Sequence, residues 1–173
     1  SLSIIKNIQV ARTRRHDGHF WTGMGVTLSI CSPILFLPDY DTAIAEKRVV
    51  AYAHKIVELA NLQRNAHPVN KCAVLVAGDI VEGELIFPGQ SHLIDASLYS
   101  QVTIDGPRIL TQFFDVLLAN FKEVEVTWVI GNHGSLGGRA RKDYHPDSNS
   151  DRMLGKIMSM IYDSDKRISF HVP

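Results

Sequence analysis

The chain has 173 residues, room for one ordinary domain and little more. With 45% hydrophobic and 21% charged residues it has the make-up of a core-forming protein, which excludes disorder as the dominant state. Eighteen Lys and Arg balance eighteen Asp and Glu, so there is no large uniformly basic surface, and nucleic acid would have to be held by a groove or by bound metals.

Residues 1–38 are irregular and carry no clear period. Residues 4–10 suit a strand, 12–19 are polar and basic, and 26–37 are apolar but broken by Pro33. After Pro38, Asp41 or Thr42 can cap a helix by accepting the orphan amides of its first turn. Residues 43–62 then place Ile44, Val49, Tyr52, Ala53, Ile56, Val57 and Ala60 at three-and-four spacing, the stripe of an amphipathic helix. Residues 72–77 (CAVLVA) form a short, wholly apolar run, which predicts a strand buried on both faces of a sheet.

That run stops at Gly78-Asp79, and a long connection with Gly83, Pro88 and Gly89 follows. Residues 104–121 predict a second helix with Ile109, Leu110, Phe113, Phe114, Leu117 and Leu118 on its buried side. Residues 124–130 (VEVTWVI) predict a second strand that stops at Gly131-Asn132-His133. A Gly-rich loop runs to about residue 149, residues 151–162 predict a third helix, and 168–172 (ISFHV) a last strand. Strands alternating with helices predict an α/β layered fold with a largely parallel sheet, as a single domain over residues 1–173.

Cys31 and Cys72 form neither a CxxC pair nor a zinc-ribbon spacing, so free thiols in a reducing compartment are expected. No apolar run approaches ~18 residues, so no membrane span is expected. The opening Ser1-Leu2-Ser3-Ile4-Ile5-Lys6 lacks the regions of a signal peptide. A cytoplasmic location is the expectation, which is the host cytoplasm if the chain is phage-encoded.

Both predicted buried strands end in a glycine followed by metal-capable side chains. In open α/β sheets, sites form where strands present their carboxyl ends. Asp79 and the Asn132-His133 pair would project from neighbouring strand ends into one crevice. A carboxylate, an amide oxygen and an imidazole suit divalent ions such as manganese, iron or zinc. Other catalytic classes fit poorly: GELIFPGQS (residues 83–91) has one residue too many for a phosphate-binding loop and no lysine after its second glycine, and no Gly-x-Ser-x-Gly elbow occurs.

Gly78-Asp79-Ile80-Val81-Glu82-Gly83 followed by Gly131-Asn132-His133-Gly134 resembles the second and third motifs of the calcineurin-like metallophosphoesterases. Tyr40-Asp41-Thr42-Ala43-Ile44-Ala45-Glu46-Lys47-Arg48, Phe87-Pro88-Gly89-Gln90, His145-Pro146-Asp147-Ser148-Asn149 and Asp151-Arg152-Met153-Leu154 are similar to a phage-associated branch of that superfamily. The resemblance covers residues 39–173. It implies a layered metallophosphoesterase-like sheet flanked by helices, and two divalent cations, with manganese favoured over iron, zinc or magnesium. It also implies hydrolysis of phosphomonoesters or phosphodiesters, with DNA the favoured substrate because the resembled branch processes phage DNA. A homo-oligomer stays open.

The resemblance makes Asp79 the bridging metal ligand and Asn132 a ligand that also helps to hold the phosphate. His133 would stabilise or protonate the leaving group. The family's first motif, Asp-x-His, has one literal match in Asp17-Gly18-His19, and the alternative placement is Asp39 or Asp41 after the apolar residues 34–37. Arg139 and Arg141, with Lys142, can be phosphate contacts or a solvated charge run. His92 can be a substrate contact or a loop histidine. His54 and His171 are read as helix and strand residues, and Glu82 and Glu84 as loop carboxylates, either of which can sit near the metals. The family's final Gly-His-x-His motif is absent, so the fold is expected to be incomplete at the C-terminus. The alternative function is a degenerate fold that binds or assembles without catalysis.

Overall fold

Five strands build one sheet whose spatial order follows the chain, β1-β2-β3-β4-β5. The computed structural model describes residues 8–14, 20–28, 41–137, 144–145 and 147–173. β1 (Ile8–Arg14) and β2 (Phe20–Leu28) run antiparallel, with Arg14 opposite Phe20. β3 (Lys71–Val76), β4 (Glu123–Trp128) and β5 (Ile168–His171) add to β2 in parallel. The helices are α1 (Thr42–Arg64), the single turn α2 (Leu98–Ser100), α3 (Gly106–Asn120) and α4 (Ser150–Ile161). The chain is α/β, with a mostly parallel sheet flanked by helices.

The expected helices form for the expected reasons. Asp41 caps α1 by accepting from the Ile44 N–H at 2.7 Å, a contact worth about 1 kcal/mol. The α1 stripe buries Ala45, Val49, Tyr52, Ala53, Ile56 and Ala60. α3 buries Ile109, Leu110, Phe113, Phe114, Leu117 and Leu118, the side read from the sequence. Its start differs: residues Gln101–Asp105 form a wider π turn rather than its first α turn. Pro107 has no N–H to donate to Thr103, so the α ladder cannot extend backwards through it.

The described part of the expected first strand, residues 8–10, is strand, and two strands extend beyond it. β1 runs on through Arg14, and Phe20–Leu28 is a full strand where no period was visible. Met24, Val26 and Leu28 alternate with Gly23, Gly25 and Thr27, a short signal that the two glycines weaken, and pairing with β3 runs from Gly23 opposite Lys71 to Leu28 opposite Val76.

The expectation that β3 is buried on both faces is corrected. Cys72, Val74 and Val76 are buried, but Leu75 is 40% exposed. β4 repeats the pattern, with Val124, Val126 and Trp128 inward and Glu125 and Thr127 outward. Each strand neighbours the next in sequence, so successive crossovers of one hand lay their helices on the same face. That face and α1, α3 and α4 share one core, which includes Met24, Val49, Phe113, Phe114, Trp128 and Leu154. Among the described residues nothing covers the opposite face, where Lys71 pairs with Glu123. Cys72 is a free, buried thiol as expected, and burial pushes its pKa up to about 12. Cys31 lies outside the described residues. No helix among them is long and apolar enough to cross a membrane.

Candidate functional site

A helix that follows a strand in a parallel crossover begins near the end at which that strand finishes. The carboxyl ends of β3 and β4 and the N-terminus of α4 therefore meet at one place. The Gly78-Asp79 turn and the Gly131-Asn132-His133 turn lie side by side there, after strands paired Val76 to Trp128. The His133 N–H donates to Asp79 Oδ1 at 3.0 Å. Gly131 permits this approach, because a Cβ at that position would overlap the Asp79 carboxylate. Gly83 does the same on the far side, where a Cβ would overlap the His133 carbonyl oxygen.

Asp79 is the one non-glycine residue at positive φ among those described, at 52°. Aspartate tolerates this left-handed region better than most residues, but the conformation persists only where surroundings impose it. Asp151, in the first turn of α4 and fully buried, imposes it. Its Oδ2 accepts from the amides of Asp79 at 2.9 Å and Gly131 at 2.7 Å. Its Oδ1 accepts from Ile80 at 3.1 Å and Val81 at 3.2 Å. Burial raises the Asp151 pKa above the usual carboxylate range, against the pull of these amides.

Asn149 completes the clamp. Its Oδ1 caps α4 by accepting from the Asp151 and Arg152 amides, and its Nδ2 donates to the Gly131 carbonyl at 2.9 Å. The sequence reading gave neither residue a role at the site. An Asn-x-Asp at a helix start is an ordinary capping signal, and nothing in its spacing reports that the acid faces two strand ends rather than solvent.

Behind His133 stands Glu82, a loop carboxylate as expected, and buried. Its Oε1 lies 3.2 Å from His133 Nδ1, close but off the line of a hydrogen bond. Gln90 Nε2 donates to the same Oε1 at 2.7 Å, and Gln101 Oε1 accepts from the Glu82 amide at 2.7 Å. Burial raises the Glu82 pKa, while His133 and the Gln90 hydrogen bond hold it down. With a carboxylate beside its Nδ1, the imidazole leaves its other nitrogen for a ligand, an arrangement open to a proton donor.

The structure thus brings Asp79, Asn132 and His133 together, with Asn132 exposed and His133 half-buried. His92 is exposed on the turn Gln90–His92. His54 is exposed on α1, and His171 is exposed on β5 with Nε2 3.4 Å from Glu125 Oε1. Asp41 serves as the α1 cap, and Glu84 accepts from the Leu98 amide at 2.7 Å. Arg139, Arg141, Asp39, Asp17 and His19 lie outside the described residues.

Asp79 and Asn132 supply hard oxygen donors of the type that manganese or magnesium takes. Among the described residues no group of three His, Cys, Asp or Glu side chains could close around a cation. The donor types fit a metal, and the two turns furnish only part of a coordination shell. No family model matches the chain, and no curated protein or solved structure matches it.

Proposed function

We propose that the chain is a metal-dependent phosphoesterase that hydrolyses phosphomonoesters or phosphodiesters, with DNA the favoured substrate class. The observation that carries this reading is the contact of the two strand-end turns, in which the His133 amide binds the Asp79 carboxylate while Glu82 backs the His133 ring. That contact supports the reading because it keeps the His133 ring and the Asp79 carboxylate on adjacent turns. Asp79 and Asn132 would hold divalent cations, manganese first, which when bound supply charge stabilisation for the phosphoryl oxygens and a more acidic attacking water. Asp151 holds the Asp79 and Gly131 turns in register. Asn132, exposed at the mouth, contacts the phosphate. His133 gives its proton to the leaving oxygen, and the Glu82 carboxylate balances the charge of the protonated ring.

The test combines manganese calorimetry with turnover of nitrophenyl phosphate and bis-nitrophenyl phosphate on the purified chain. Manganese-dependent hydrolysis that Asp79→Asn abolishes, with the thermal melt unchanged, is expected. Hydrolysis that survives Asp79→Asn overturns the reading. Cation binding without turnover on either ester would indicate a binding or assembly module.

A further inference from the structure

Gln90 is fully buried on a turn whose neighbours Pro88, Gly89, Ser91 and His92 are exposed. A long polar side chain sent inward from a surface turn must satisfy both ends of its amide. Gln90 does so with one fixed orientation: Oε1 accepts from the Ile86 N–H at 2.7 Å, which leaves Nε2 to donate to Glu82 Oε1 at 2.7 Å. The backbone of Glu82 is held separately by Gln101, from the π turn that precedes α3. Two glutamines from distant turns thus fix one acid, and the oxygen that Gln90 binds is the one facing His133 Nδ1.

We propose that Gln90 is a positioning residue, which through the Glu82 carboxylate sets the orientation of the His133 ring. The amide occupies one lone pair of Oε1 and stops the carboxylate from rotating, so its negative edge stays on the ring nitrogen. The bland alternative is that Gln90 only pins the turn through Ile86. The two differ in which end of the amide matters. For its consequence in turnover the inference rests on the role proposed above for His133; its structural content does not.

The test reads the histidine ring nitrogens by NMR at one fixed pH, in the whole chain without substrate or metal. Gln90→Met and Gln90→Leu remove the donor to Glu82 without adding a charge, and both also free the Ile86 N–H, so the Ile86 amide signal moves in either case. Both variants are expected to displace the His133 ring signals in the direction that Glu82→Gln displaces them, with His54 and His171 unmoved. His133 ring signals that keep their wild-type positions while the Ile86 amide moves assign Gln90 to the turn alone and overturn the inference. Absence of turnover in the wild type would sink the phosphoesterase reading and leave this result standing. In an active chain, Gln90→Met lowers kcat on alkyl esters by ~10-fold with KM held, as the partners that orient a site residue do. That loss disappears in a His133→Asn background; an equal loss in both backgrounds overturns the inference.

Discussion

One carboxylate oxygen of Asp151 binds the amide of Asp79 at 2.9 Å, and by that contact a helix N-terminus dictates the backbone of a strand-end turn. The same oxygen binds Gly131, so the two turns cannot separate while Asp151 stays in place. Asp151→Asn would turn one acceptor into a donor facing amide donors. A buried donor left unsatisfied costs about 1–3 kcal/mol. The expected loss is about 3 kcal/mol by urea unfolding, with weaker manganese binding. A loss below about 1 kcal/mol would show that Asp151 does not hold the turns.

Much of this fold is legible in the sequence. The stripes of α1 and α3 follow from apolar spacing, and Asp41 announces the start of α1. Glycines after residues 77 and 130 mark the two strand ends. Leu75 was misleading because an apolar residue in an apolar run carries no sign of which face is open. β2 is hard to read because glycines at 23 and 25 weaken the strand signal of Met24, Val26 and Leu28, and the apolar stretch runs on toward Pro33. Within the site, Asp79, Asn132 and His133 stand beside diagnostic glycines. Glu82, Gln90 and Asp151 act across 51 to 72 residues of sequence or across a surface turn, and no local spacing encodes such contacts.

Gly155 lets α4 lie against Trp128, whose ring atoms would be 2.9–3.1 Å from an added Cβ. Alanine would gain about 1 kcal/mol of helix propensity. Overpacking against a buried indole costs about 1–3 kcal/mol and here outweighs that gain. Gly155→Ala should lower the melting temperature by several degrees, roughly 2–4 °C per kcal/mol for a chain of this size. A higher melting temperature would mean that the ring moves freely and α4 is loosely seated.

Tyr162 donates its O–H to Asp115 Oδ1 at 2.7 Å. Burial first, and then Asp115, raise the phenol pKa above its ordinary value. The folded chain keeps this proton at a pH where the unfolded chain has released it. The contribution to stability is therefore full below about pH 10 and is lost as pH rises through the folded value. Tyr162→Phe should cost about 2 kcal/mol at neutral pH, the worth of a hydrogen bond to a charged group. The gap between variant and wild type should narrow between roughly pH 10 and pH 11, because Tyr162 is the one titrating group in which the two chains differ. Urea midpoints across that range check it, and a constant gap would assign the loss to packing alone.

His133 distinguishes proton donation from cation holding. Its amide is engaged by Asp79 and its Nδ1 faces Glu82, so the ring's other nitrogen is the one left to serve a substrate. A nitrophenolate leaves without help, whereas an alkoxide needs a proton at the moment of bond breaking. His133→Asn should leave manganese affinity unchanged and reduce kcat on alkyl phosphate esters by about 10²–10⁴-fold, the usual contribution of a positioned acid. On nitrophenyl esters the same substitution should cost far less, because the leaving group's own acidity replaces the donor. Glu82→Gln should follow the same order with a smaller effect, since it removes the carboxylate beside Nδ1 but keeps the imidazole itself. Steady-state rates on a leaving-group series, with metal content measured on each variant, give the answer. Equal losses on alkyl and nitrophenyl esters, or loss of metal with loss of the ring, would show that His133 holds a cation instead of delivering a proton.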